Sequence, residues 1–159
     1  MNVFDIAMQM EKEGAEFYRD LASKATTKGL KTIFTMLAED EVKHLNTFSA
    51  LKDGSAVVMV ASQLTDNAET VFKGFKKKDF LVESKHVDLY ERALEVELKS
   101  IEFYCEQLQE IDSKETRKAV DAIIAEERRH YDLIDDIVMM LDRPNSWVEN
   151  AEFGVREEY

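Results

Sequence analysis

The chain has 159 residues, 45% of them hydrophobic, with one proline, five glycines and a formal net charge of −12. That length suits a single domain with a sizeable core, and so few helix breakers favour long helices over a turn-rich β fold. The acidic balance argues against nucleic acid or an anionic membrane as the main partner, because both select basic surfaces.

The first predicted helix carries Phe4, Ala7, Glu11, Gly14, Tyr18, Leu21 and Ala25 on one stripe, in alternating steps of three and four. Thr26-Thr27-Lys28-Gly29 then signals a turn. The second helix repeats the spacing with Leu30, Phe34, Leu37, Glu41, His44, Phe48 and Leu51, so two polar residues occupy the centre of an apolar seam. Residues 53–83 are too long for a hairpin loop, and they suit a crossover that includes a short helix around 63–75. The third helix carries Tyr90, Ala93, Glu97, Ser100 and Tyr104, followed by Leu108 or Ile111. Asp112 or Ser113 can cap the fourth, whose seam is Val120, Ile123, Glu127, His130, Ile134, Ile137 and Leu141. We therefore expect an all-α antiparallel four-helix bundle over 1–142. Its hairpins are about 3–52 and 84–142, with one long crossover between helices 2 and 3, and 143–159 form a tail.

The second hairpin is a copy of the first. An offset of 86 positions carries 11 to 97, 41 to 127 and 44 to 130, turning Glu11, Glu41 and His44 into Glu97, Glu127 and His130. It also carries Glu16-Phe17-Tyr18 onto Glu102-Phe103-Tyr104. Short turns make the paired helices antiparallel, and at 1.5 Å per residue the two glutamates and the histidine of a hairpin lie at nearly one height.

Buried carboxylates are costly unless paired or bound to metal. Two of them about 5 Å apart repel by roughly 3 kcal/mol at an effective dielectric near 20. Two divalent ions cancel four such charges and take neutral imidazoles as further ligands. Glutamate with histidine suits iron, manganese or zinc better than calcium. Each Glu-x-x-His pair shares a helix face, and the central Glu41 and Glu127 are expected to bridge. Glu11 and Glu97 are then terminal, and His44 and His130 cap one ion each. Tyr18 and Tyr104 are candidates to hydrogen-bond a ligand carboxylate.

Glu83-Ser-Lys-His86 has the same local pattern. It has no partner at the 86-residue offset and lies about 16 Å from Glu97 along a helix, so it is read as structural. Glu39, Asp40, Glu126 and Arg128 fall off the seam and are expected to be solvated. Cys105, the only cysteine, is read as a small buried hydrophobe or an idle thiol. No apolar run reaches the roughly 18–20 residues that span a bilayer. No basic segment with an apolar core marks a secretory leader, so no membrane partner and a cytoplasmic location are expected.

Glu11, Glu41-Val-Lys-His44, Glu97 and Glu127-Arg-Arg-His130, with the Glu-Phe-Tyr repeats behind them, resemble the ferritin-like diiron superfamily. Within it the chain is most similar to rubrerythrin-like proteins. The resemblance spans about 3–52 and 84–142. It implies a pair of iron ions that react with hydrogen peroxide or dioxygen: peroxide reduction as in rubrerythrins, or ferrous oxidation and storage as in ferritins. Rubrerythrins usually carry a rubredoxin-like domain of four cysteines, which one cysteine cannot make, so a separate electron-donor protein is expected. They also carry an extra carboxylate one turn from the third-helix ligand, where this chain has Leu94 and Ser100. A third possibility is a structural bundle with zinc or no functional metal. The aromatic tail, with Trp147, Phe153 and Tyr159, favours a homodimer.

Overall fold

The structure is a computed structural model that describes residues 2–55, 62, 64–108 and 110–142. Trp147, Phe153 and Tyr159 lie outside the described residues. All regular secondary structure among the described residues is helical. The bundle helices are α1 (Val3–Lys24), α2 (Lys28–Lys52), α5 (Val87–Phe103) and α6 (Lys114–Asp142). The crossover contributes α3 (Leu64–Lys73) and α4 (Lys77–Glu83).

Local chemistry sets the helix ends. The Asn2 side chain accepts from the Phe4 N–H at 2.7 Å and opens α1. Thr27 does the same for Leu30 at 3.3 Å and opens α2, and Ser113 accepts from Thr116 at 3.3 Å at the start of α6. At the end of α2, Gly54 takes a left-handed φ of 74°, and Gly54 and Ser55 donate back to Leu51 and Ala50 at 3.2 and 2.9 Å. A side chain at that position would be strained. α5 closes in one π turn, Tyr104–Leu108. Leu108 is the residue that continues its buried stripe, while Ile111 is half-buried.

Two apolar cores fill the bundle. One joins Tyr18, Leu21, Phe34, Leu37, Tyr90, Ala93, Ile134 and Ile137. The other joins Ala7, Phe48, Tyr104, Leu108, Val120 and Ile123. On every bundle helix the two cores flank the positions of the glutamates and histidines, so a polar layer is sealed between them.

The same partition orients the chain. The first core takes the C-terminal halves of α1 and α6 and the N-terminal halves of α2 and α5. α2 and α5 therefore run parallel, and the crossover must travel the length of the bundle between them. α3 packs on this core through Leu64, Ala68 and Phe72.

Candidate metal centre

Each bundle helix delivers its polar residues from the middle of an apolar stripe. Glu11, Glu41, His44, Glu97, Glu127 and His130 are all at most 3% exposed. They form two overlapping groups: Glu11, Glu41, His44 and Glu127, and Glu41, Glu97, Glu127 and His130. Within each group one ligand-capable atom per residue lies within 4.8 Å of all the others. Glu41 and Glu127 belong to both groups, while the remaining four residues belong to one each.

The histidines present their nitrogens in the same sense. His44 Nδ1 lies 2.9 Å from Glu127 Oε1 and 3.5 Å from Glu11 Oε2. His130 Nδ1 lies 3.3 Å from Glu41 Oε1 and 3.4 Å from Glu97 Oε1. The two rings are 5.9 Å apart and tilted by only 22°. Each Nε2 faces away from the glutamates, His44 toward Glu126 Oε1 at 3.1 Å and His130 toward Asp40 Oδ2 at 3.0 Å.

The crowding of buried carboxylates in this cluster shifts its groups away from their ordinary pKa values. Burial pushes Glu41 well above the usual carboxylate range, and the charges of Glu11, Glu127 and Glu97 add to the shift. Burial and the neighbouring Glu127 push Glu97 up to about 8, against the pull of His130. Burial opposes charge on both histidines, yet the surrounding carboxylates win and raise them well above the ordinary imidazole value. Burial also raises Glu11, but the His44 charge and its hydrogen bonds prevail and bring it below the usual range.

The arrangement fits divalent cations. Glu11 Oε2, Glu41 Oε1, Glu97 Oε2, Glu127 Oε2 and His130 Nδ1 are fully buried with no hydrogen-bond partner among the described residues. Leaving that many polar atoms dry costs about 1–3 kcal/mol each. These atoms are of the kinds that cations take as ligands. Space beside the site is tight on one side. A Cβ added at Gly14 would meet Glu41 Oε2 at 2.9 Å, so the glycine lets that carboxylate lie against α1.

The tyrosines hold Glu97 and Glu11. Tyr104 donates to Glu11 at 2.6 Å, and Tyr18 donates to Glu97. Burial and these adjacent carboxylates keep both phenols well above their ordinary pKa, so they remain protonated donors.

Two residues expected to be solvated are not. Asp40 and Glu126 are each 4% exposed and hold the outer nitrogens of the histidines. Each sits one position before a glutamate shared by both groups, and position 40 maps onto 126 at the 86-residue offset. That coincidence of two acids was the signal in the sequence. A helix in a four-helix bundle touches two neighbours, so the position next to the seam faces a second helix rather than water. Glu39 and Arg128 are exposed.

Glu83 and His86 lie apart from this cluster. Glu83 is fully buried and accepts from Thr26 N at 3.2 Å, Thr27 N at 3.0 Å, the Thr27 hydroxyl and Tyr90 Oη at 3.2 Å. Its carboxylate ties the α1–α2 turn to the crossover. Cys105 is half-buried in the π turn, 3.8 Å from the Arg128 guanidinium.

The family model described as Rubrerythrin matches residues 2–138. No curated protein and no solved structure matches the chain.

Proposed function

The chain belongs to the rubrerythrin family, and on that premise we propose that it is a non-haem di-iron oxidoreductase reducing hydrogen peroxide or dioxygen. The observation that carries this reading is the sharing of Glu41 and Glu127 between two otherwise separate Glu/His groups. If both groups hold an ion, Glu41 and Glu127 would be shared by the two, and a pair of ions would be held in one layer. In this assignment Glu11 and His44 complete one position, and Glu97 and His130 complete the other. Bound iron supplies two electrons there, which together with two protons reduce one peroxide to two waters.

The protein's part is to position, seal and set charge. The two apolar cores exclude bulk water above and below the layer. Tyr18 and Tyr104 fix the orientation of Glu97 and Glu11 through one oxygen, leaving Glu97 Oε2 and Glu11 Oε2 for an ion. The six residues of the layer are at most 3% exposed, which favours a small oxidant over a bulky substrate. Electrons that leave with the product would be restored by a donor outside these 159 residues, whose only thiol is Cys105.

Anaerobic loading with ferrous iron, followed by titration with peroxide and with dioxygen, tests the proposal through near-ultraviolet absorbance. The expected result is oxidation of two irons per chain, faster with peroxide, and absent in the Glu41→Ala/Glu127→Ala variant. Faster oxidation by dioxygen, with a ferric product that accumulates, would assign ferrous oxidation and storage instead. Fewer than two ions per chain would end the di-iron reading.

A further inference from the structure

The outer shell of the histidines is built symmetrically and then made unequal. Asp40 and Glu126 are related by the same offset as the ligands, and each holds the histidine of the opposite hairpin. An ionised carboxylate only accepts hydrogen bonds. Both histidines must therefore carry their shared proton on Nε2 when an ion takes Nδ1, and the carboxylate sets the ring's orientation.

The equality ends at the crossover. Asp40 Oδ2, the atom that accepts from His130, also accepts from Ser62 Oγ at 2.6 Å. Ser62 Oγ in turn accepts from the Leu64 N–H at 3.2 Å, so it is anchored at the start of α3. Lys43 Nζ stands 3.8 Å from the other oxygen of Asp40. Glu126 is a longer side chain, and among the described residues its only hydrogen-bond partner is His44.

Resting on the dimetal reading above, we propose that Ser62 acts through Asp40 as a positioning residue that makes the two ion positions unequal. It pre-orients His130, so the ion held by Glu97 and His130 binds first and more tightly than the ion held by Glu11 and His44. The reason is entropic: Asp40 is fixed by Ser62 as well as by His130, whereas Glu126 is fixed by His44 alone, so less freedom is left to lose at Asp40 when an ion binds. The Ser62 hydroxyl also draws some charge from Asp40, which weakens its pull on His130. That effect of one neutral donor is small beside the roughly 10–100-fold cost of losing an outer partner altogether.

Cobalt(II) added to the metal-free protein tests this without any turnover. Calorimetry gives the two affinities. Proton NMR of the paramagnetically shifted, exchangeable Nε2–H signals identifies which histidine is engaged first, with His44→Ala providing the assignment. In the wild type the His130 signal should grow with the first equivalent, and the two affinities should differ by about 10-fold. Ser62→Ala should weaken the first affinity several-fold and leave the second in place. Ser62→Thr, which keeps the hydroxyl, should restore the gap, and Glu126→Gln should widen it by weakening the second affinity. Two ions bound with unchanged affinities in Ser62→Ala, or a His44 signal that grows first, would overturn this proposal and leave the dimetal centre standing. A wild-type chain that binds no cobalt would overturn both.

Discussion

Tyr104 donates its phenol proton to Glu11 at 2.6 Å from a position 93 residues away, in the other hairpin. Its repeat partner Tyr18 reaches across to Glu97 in the opposite direction. The histidines cross in the same way, His44 to Glu126 and His130 to Asp40. Neither hairpin completes its own ligand environment; each supplies outer contacts to the other's ligands.

Replacing either tyrosine by phenylalanine keeps its ring packing, such as the 5.1 Å contact of Tyr104 with Phe48, and removes one donor to a ligand carboxylate. A hydrogen bond to a charged group is worth about 1.5–3 kcal/mol. Tyr18→Phe and Tyr104→Phe should each weaken metal binding by about 10-fold, measured by competition with a chelator. Unchanged affinity in both variants would remove the tyrosines from the site.

Glu41 should be a liability to the metal-free fold and indispensable to the loaded one. It is a buried carboxyl, and burial together with the charges of Glu11, Glu127 and Glu97 favours its protonated form. Glu41→Gln replaces it with a neutral group of the same shape. The metal-free melting temperature should rise, more at pH 8 than at pH 5, while metal stoichiometry drops below two per chain. A lower melting temperature for the metal-free variant would contradict this assignment of charge.

The pH dependence should reverse on loading. His44, His130, Glu41 and Glu97 all have folded-state pKa values raised above their ordinary ones. The metal-free fold therefore holds more protons than the unfolded chain once pH exceeds the unfolded carboxyl value near 4.5. Its stability should fall as pH rises through the Glu97 value of about 8. Glu11 and Asp40 are shifted down, so their contribution is lost only in acid, below the unfolded values of 4.5 and 3.8. The metal-free protein should be most stable near pH 5. Ions compete with the protons and bind better as pH rises, so loaded protein should gain stability over the same interval, with protons released in an unbuffered titration. Parallel pH trends for the two forms would count against the proton-for-metal exchange.

Gly14 separates folding from ligand placement. Alanine in the middle of a helix gains about 1 kcal/mol over glycine. Its Cβ at Gly14, however, would sit 2.9 Å from Glu41 Oε2, at the flexible end of that side chain. Gly14→Ala should leave the metal-free melting temperature unchanged or higher and weaken metal binding, as read by calorimetry. Wild-type affinity in this variant would mean that the Glu41 carboxylate can rest elsewhere.

Glu83 offers the converse. Glu83→Ala strips the Thr26 and Thr27 N–H groups and the Tyr90 hydroxyl of their common acceptor. Denaturant unfolding should show a loss of about 2–4 kcal/mol, with two ions per chain still bound. Loss of an ion would give this acid a part in the centre that its position denies.

Much of this was legible in the chain alone. The steps of three and four set out the bundle helices, because a helix that buries one stripe must repeat it every 3.6 residues. The common offset singled out Glu11, Glu41, His44, Glu97, Glu127 and His130, because duplicated chemistry leaves duplicated spacing. It also set aside Glu83, whose Glu-x-x-His pattern has no second copy.

Tertiary structure decided what lies between helices. Asp40 and Glu126 read as solvated because a single-helix stripe describes only one neighbour, and each of these helices packs against more than one. The crossing of Tyr18, Tyr104, His44 and His130 to the other hairpin, and the contact of Ser62 with Asp40, depend on how the two hairpins and the crossover dock. Spacing along one helix specifies which residues share a face. Which distant side chain that face meets is a property of the packed bundle, where burial, charge and hydrogen bonding must be satisfied together.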